Sequence, residues 1–383
     1  MSVLTQESIP LVDLRAQFAT LRAEVMAAIE EVASRASFIK GPYVATFERE
    51  FADFSQAPFC VGVANGTEAL FLALKALGVS PGDEIITVPN TFTATAEAIV
   101  HAGAIPRFID VEPGDHLIDP AAVEAAIGPR TAGIIPVHLF GQPAQMERLQ
   151  AIAARHSLFL LEDAAQAHGA SEGGRPVGTL GQLTTFSFYP GKNLGAYGDA
   201  GAVITHDEQL DRKVRMLADH GRLDKYLHEM VGYGCRLDAL QAAVLSVKLR
   251  YLPEWNARRR ELARRYDELL AAVPAVQPLE TRPDAVAAYY VYVVEVEARD
   301  RDSLQQWLGE RGIATGIYYP IPLHLQPAYA HLGYQVGDFP VAEAKAERIL
   351  SLPLYPELTS DQQDRVVQAI RDYVSSHGHP LSF

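Results

Sequence analysis

The chain has 383 residues, 48% hydrophobic and 21% charged, an ordinary globular composition that can bury a sizeable core without covalent staples. Its formal net charge of -14 repels phosphate backbones and anionic lipid surfaces, so neither nucleic acid nor a membrane surface is an expected partner. Two cysteines, Cys60 and Cys235, form no CxxC pair; no apolar run approaches the roughly 18 residues that span a bilayer, and the N-terminal MSVLTQESIPLVDL lacks the pattern of a signal peptide, which together point to a soluble cytoplasmic protein.

Residues 13–35 place Leu14, Phe18, Leu21, Val25, Ile29 and Val32 at three- and four-residue steps, which predicts a helix. Residues 43–54 continue helical up to Pro58. The pattern then turns to alternation. Short apolar strands are expected over 60–65, 84–89, 105–111, 132–140, 158–163, 183–189 and 201–206. Helices open at Gly66, near Thr93 and at Pro120, and one more lies between the strands at 132–140 and 158–163. Such alternation predicts an α/β fold, with a mainly parallel central sheet flanked by helices and ligands bound at the carboxyl ends of its strands. A long helical region over 237–270, bent at Pro253, leads into an alternating strand at 288–296, a helix at 303–311, a proline-rich stretch at 315–328 and a terminal helix at 360–375. The expected organisation is a large domain over residues 1–250 and a smaller C-terminal α+β domain over 251–383. Arg258, Arg259, Arg260, Arg264 and Arg265 recur at helical spacing; they read as a solvated helix face, with an anion-binding or subunit-contact role as the alternative.

Four features at strand ends carry chemistry. Lys192, in FSFYPGKNLGAYGDAGAV, follows an aromatic strand in a glycine-flanked loop, where its amine can form an imine with a carbonyl cofactor if its ionisation is depressed; the plain alternative is a surface lysine. Asn193 stands where a P-loop needs Ser or Thr, so that motif fails. Asp163 ends LFLLED and faces the ligand crevice, where a carboxylate can keep a pyridine nitrogen protonated, or simply cap a helix. Glu162 must point to the other side of the same strand. Gly66 and Thr67 sit at a strand-to-helix junction suited to a phosphate or to an ordinary cap, and Ser187 can add a second hydroxyl. Phe92 follows the strand EIITVP and can stack on a planar ring or serve the core. Together these supply a phosphate cradle, a ring stacker, a pyridinium partner and an imine-forming lysine, in that spatial logic, within one α/β unit.

The motifs NGTEAL, PNTFTAT, EDAAQAHGA, FSFYPGKNLGAYGDAGAV and GYGCRLDALQAA, in this order, resemble those of the DegT/DnrJ/EryC1/StrS aminotransferases. The resemblance runs from PLVDL near residue 10 to LSLPLYPELT near residue 355. It implies a fold-type-I enzyme dependent on pyridoxal 5'-phosphate, a homodimer with composite active sites, in which Lys192 is the Schiff-base lysine and Asp163 the partner of the ring nitrogen. It further implies that Gln166 contacts the ring hydroxyl, that Phe92 stacks on the ring, and that Gly66, Thr67 and Ser187 hold the phosphate. His168 lies in the same motif as a supporting candidate. Relatives with His at the lysine position are dehydratases, so Lys192 favours transamination. The implied reaction moves an amino group from an amino acid, L-glutamate by resemblance, to a keto-sugar nucleotide. Its wording is nearest to members that aminate C3 of a dTDP-linked keto-6-deoxyhexose, with a 4-keto sugar, or a regulatory protein that binds the cofactor without turnover, as alternatives. Tyr318 and His324, in IYYPIPLHLQ, are candidates to line the sugar site. No metal site is expected. Two departures stand out: Gly234 replaces an Asn that in the family reaches the partner's cofactor phosphate, and Tyr290 replaces a common His.

Overall fold

The computed structural model describes residues 8–222 and 224–377; the first seven residues, part of the segment read above for a leader, lie outside it. Two helices come first, α1 (Leu14–Ser34) and α2 (Gly41–Phe54). The Asp13 carboxylate starts α1 by accepting from the amides of Arg15 and Ala16 at 3.0 and 2.9 Å.

Seven strands then build one sheet: β1 (Phe59–Val63), β2 (Glu84–Thr87), β3 (Ile105–Phe108), β4 (Thr131–Ile134), β5 (Phe159–Asp163), β6 (Leu183–Ser187) and β7 (Gly201–Thr205). Their spatial order is β1-β7-β6-β5-β4-β2-β3. Neighbours from β3 to β6 are parallel, and β7 runs antiparallel to both β6 and β1. Most residues of these strands are buried, as both faces are covered by helices. One cover is α3 (Gly66–Leu77), packed with α4 (Ala94–Ala102). On the other side Phe47 and Phe51 of α2 pack edge-on against Phe188, and Phe51 likewise against Phe186, with centroids 5.0–5.4 Å apart.

The predicted strand over 132–140 is shorter than expected. It ends at Ile134, and residues 139–141 form a tight helical turn with Phe140 at φ +61°. Pro136 cannot donate to a ladder, which accounts for the early stop. The single bent helix expected over 237–270 is two helices, Ala239–Leu249 and Leu252–Leu270, with Pro253 in the first turn of the second. The strand expected over 288–296 is limited to Tyr292–Glu295, because Tyr289 turns the chain at φ +49°. It pairs with Ile349–Leu352 and Gln277–Pro278 in a separate three-stranded sheet, covered by helices Ala298–Glu310 and Ser360–Ser376. The helix Pro340–Arg348 and the strand that follows it were not anticipated. The arginine run is not a uniform solvated face. Arg258, Arg264 and Arg265 pair with Glu261, Glu268 and Asp364, while Arg259 is buried.

None of the described helices is long and apolar enough to cross a membrane.

The predicted division of labour at the end of β5 holds for Glu162. Its fully buried carboxylate accepts from Thr184 Oγ1 at 2.6 Å and the amides of Gly181 and Leu180 at 2.7 and 3.1 Å, and lies 3.0 Å from His138 Nε2. Burial works to raise its ionisation, but these partners outweigh burial and hold it below the usual value. Glu162→Ala strands the buried imidazole, hydroxyl and amides together. It is expected to lower unfolding free energy by about 3–5 kcal/mol, measured by chemical denaturation.

Candidate active site

The site gathers where β5 and β6 end. Asp163 is the last residue of β5 and is 5% exposed. Its Oδ2 accepts from Thr95 Oγ1 at 2.7 Å, and its Oδ1 from the Ala165 amide at 3.2 Å. Thr95 in turn lies 3.0 Å from Thr91 Oγ1, one helical turn away in α4 and the loop before it. Two donors on different oxygens fix the carboxylate's plane while leaving lone pairs directed into the cleft.

Lys192 lies in the connection between β6 and β7. That connection folds back on itself: the Lys192 amide donates to Tyr189 O and the Ala196 amide to Phe188 O, each at 2.8 Å. Asn193 anchors the loop from below, its buried amide donating to Asn256 Oδ1 at 3.0 Å and Ala288 O at 2.8 Å. Lys192 Nζ sits 4.5 Å from the centre of the Tyr290 ring. Burial pushes its ammonium down from the ordinary lysine value to about 8, against the opposing charge of Asp163. An amine at that value is partly free near neutrality, as imine chemistry requires.

Gly66 and Thr67 open α3, with Asn65 as the cap accepting from the Glu68 amide at 2.9 Å. First-turn amides have no intrahelical acceptor and point toward the strand ends. A Cβ on Gly66 would come within 2.6 Å of Ser187 Cβ, so only glycine lets the helix start approach the β6 hydroxyl this closely. The result is a bare main-chain cradle beside a serine, the shape and polarity of a phosphate site.

Phe92 is 54% exposed and its ring lies 5.9 Å from that of Tyr319. Gln166 is buried; its Oε1 accepts from the Phe140 amide at 2.7 Å and its Nε2 approaches Tyr319 OH at 3.5 Å. His168 is fully buried between Phe186 and Phe188, and neither ring nitrogen has a hydrogen-bond partner meeting ordinary geometry among the described residues. Burial and the Lys192 charge push its ionisation down to about 3, so it is a neutral ring. Tyr318 joins the cluster, 6.3 Å from Tyr290 and bonded through the chain to Tyr319. His324 does not. Its ring is buried against Phe339, with Nε2 3.0 Å from Glu343. A cavity of about 320 Å³ opens beside Phe92 and Tyr319 and continues to Gln326 and Tyr329. At Gly234, a Cβ would meet the His220 ring at 3.1 Å, so this histidine takes up space next to the missing asparagine side chain.

Thr95, Asn193, Asn256 and Tyr319 escaped the sequence reading. Their positions are tertiary, and only the Thr91–Thr95 spacing hinted at a shared helical face.

Comparison with known proteins agrees with this geometry. A sequence model of the DegT/DnrJ/EryC1/StrS aminotransferase family matches residues 19–371. A pleiotropic regulatory protein of Geobacillus stearothermophilus is 48% identical over 96% of this chain and 98% of its own. The dTDP-3-amino-3,4,6-trideoxy-alpha-D-glucose transaminase of Streptomyces venezuelae is 45% identical over 95% and 96%. A UDP-N-acetyl-3-dehydro-alpha-D-glucosamine 3-aminotransferase of Acidithiobacillus ferrooxidans is 44% identical over 96% and 99%. Among solved structures, DesV of S. venezuelae in complex with a ketimine intermediate superposes with a TM-score of 0.94 at 44% identity, covering 96% of this chain and 99% of that one. NtdA of Bacillus subtilis, with bound cofactor PMP, gives 0.89 at 31% identity over 98% and 87%. The chain belongs to the DegT/DnrJ/EryC1/StrS aminotransferase family and is a transaminase dependent on pyridoxal phosphate.

Proposed function

We propose that this enzyme transfers the amino group of an amino acid, L-glutamate in the first instance, to C3 of a keto hexose carried on a nucleoside diphosphate, with a dTDP-linked 3-keto-6-deoxyhexose as the leading acceptor. Support comes from the printed activities of relatives at 45% and 44% identity, both of which concern a 3-amino sugar, one on dTDP and one on UDP. The observation that carries the chemistry is the juxtaposition of Lys192, with its depressed ionisation, and the doubly held Asp163 carboxylate.

Bound pyridoxal phosphate supplies an electron sink at the reacting carbon. The protein's share follows from its own groups. The Gly66 and Thr67 amides and the Ser187 hydroxyl hold the phosphate. Asp163, oriented by Thr95, keeps a proton on the ring nitrogen. Phe92 and Gln166 set the plane of the ring, and Tyr318 borders the sugar side. Lys192 Nζ would hold the cofactor through an imine and, once freed by the incoming amino donor, would act as the base that takes up the proton of the donor's α-carbon. Residues 1–250 form the cofactor-binding domain in this reading and 251–383 the smaller one: the seven-stranded sheet lies within 59–205 and one three-stranded sheet within 277–352, while a second small sheet pairs Ala285–Val286 with Ser171–Glu172 across the boundary. The working unit is a homodimer. Tyr226, Leu227 and Val231 stand exposed on the chain leading to Gly234, which is the segment assigned to the partner's site. A monomeric mass in solution at all concentrations contradicts this.

Borohydride treatment of the loaded protein is expected to abolish its visible colour and leave the pyridoxyl group on the peptide containing Lys192; the same label on another lysine overturns the assignment. Lys192→Ala is expected to cut turnover by about 10³-fold or more, and Asp163→Asn by about 10²-fold or more at saturating substrates. Assayed with glutamate, a dTDP-linked 3-keto-6-deoxyhexose should exceed its UDP-linked and 4-keto counterparts in kcat/KM. A preference for a 4-keto sugar removes the C3 reading and leaves the family assignment intact.

A further inference from the structure

Two cations lie buried behind the cleft without a carboxylate at ion-pair distance among the described residues. Lys248, on the helix Ala239–Leu249, is 1% exposed, and Arg259, on the helix Leu252–Leu270, is 3% exposed. Lys248 Nζ donates to Gly195 O at 2.6 Å and rests 4.6 Å from the centre of the Tyr197 ring. Arg259 Nη1 donates to three main-chain carbonyls, Leu354 at 2.9 Å, Tyr289 at 3.2 Å and Tyr290 at 3.4 Å. Burying a charge against carbonyls alone is costly, and an apolar side chain of similar volume fills the same space more cheaply. The geometry that these charges impose is therefore the informative part.

Both grips close on the same contact from opposite sides. Gly195 lies three residues beyond Lys192, in a turn so tight that a Cβ there would run into the Pro190 carbonyl. Its carbonyl faces outward, and Lys248 takes it. Tyr289 and Tyr290 form the turn on the facing wall, with Tyr289 in the left-handed region at φ +49° and the Tyr290 ring over Lys192 Nζ. Arg259 holds the carbonyls of both tyrosines and ties them to Leu354. Glu357, three residues beyond Leu354, balances the pair. Burial pushes Lys248 down to about 8 and Arg259 to about 10, and the Glu357 charge acts against the push in both cases.

We infer that Lys248 and Arg259, balanced by Glu357, are positioning residues that set the distance between Lys192 and Tyr290 by gripping the main chain on either side of it. The inference rests on Lys192 being the reactive amine. Asp163, Tyr290 and the neutral His168 lie around that amine; Lys192 is half-buried, and how much water reaches its ammonium depends on the two walls staying close. When either grip is lost, more water reaches the ammonium and its titration moves back toward that of an ordinary lysine. A purely structural role lowers thermal stability and leaves this titration where it was.

The test is competitive acetylation of the full-length, cofactor-free protein across pH, with the Lys192 peptide followed by mass spectrometry. The wild-type midpoint is expected near 8. Lys248→Met and Arg259→Met are each expected to raise it by about one unit or more. In the loaded enzyme they should lower kcat about 10-fold or more, with Lys248→Arg restoring both readouts. Wild-type midpoints and kcat in both Met variants overturn the inference. Should either fail to fold, Lys248→Gln and Arg259→Lys, which keep a donor but shorten or thin the grip, decide it: raised midpoints support the inference and unchanged ones overturn it. The two failures separate cleanly. A pyridoxyl label on another lysine defeats the Lys192 assignment, whereas a label on Lys192 with unmoved midpoints defeats only the positioning role.

Discussion

Everything in the cleft depends on a pair of carboxylates placed back to back at the end of one buried strand. Glu162 and Asp163 are adjacent in the chain, and the pleat of β5 sends them to opposite sides of the sheet. Each is out of water, so each must be given hydrogen bonds, and the fold gives them differently. Glu162 receives a fuller set from His138, Thr184 and the amides of residues 178, 180 and 181. Asp163 receives two among the described residues, from Thr95 and the Ala165 amide. The saturated one locks β5 to β6 and to the loop after β4. The other keeps bonding capacity to spare.

The same contrast between closed and open sets of partners recurs around the cleft. Asn193 spends its amide hydrogens on Asn256 and Ala288, which ties the Lys192 loop to the helix Leu252–Leu270 and to the chain entering the smaller sheet. Asn256 passes the link on to His168 O at 2.7 Å. The lysine, by contrast, meets an aromatic face and a distant carboxylate rather than a hydrogen-bonded ion pair. Among the described residues no hydrogen bond holds the Lys192 amine, which lets its ionisation move with its environment.

Much of this was legible in the chain. Alternating apolar runs marked six of the seven strands to within a few residues, because strands buried on both faces carry continuous apolar sequence. The placement of Asp163, Gly66 and Ser187 at strand ends, and of Lys192 in the connection that follows, was readable because strand ends and glycine-flanked turns have a fixed relation to an α/β crevice. The errors have physical causes as well. Pro136 and the left-handed Phe140 cut short an apolar stretch that reads as a long strand. Tyr289 does the same to AYYVYVVEV. Arg259 looked solvated because helical spacing says which residues share a face but not what that face meets. Thr95, Lys248 and Tyr319 act through contacts across long stretches of chain, and no local pattern encodes those.

The antiparallel strand β7 has a consequence for motion. In a parallel sheet the loop leaving a strand usually runs into a crossover helix and is tied to the sheet at one end only. The loop bearing Lys192 instead connects adjacent antiparallel partners, with Ser187 paired to Gly201. Both of its ends are stitched into the middle of the sheet, which restricts how far Lys192 can swing. The proline-rich segment across the adjoining cavity is held differently: among the described residues it carries short helical turns and no strand from Tyr318 to Ala328, so no ladder fixes it along its length.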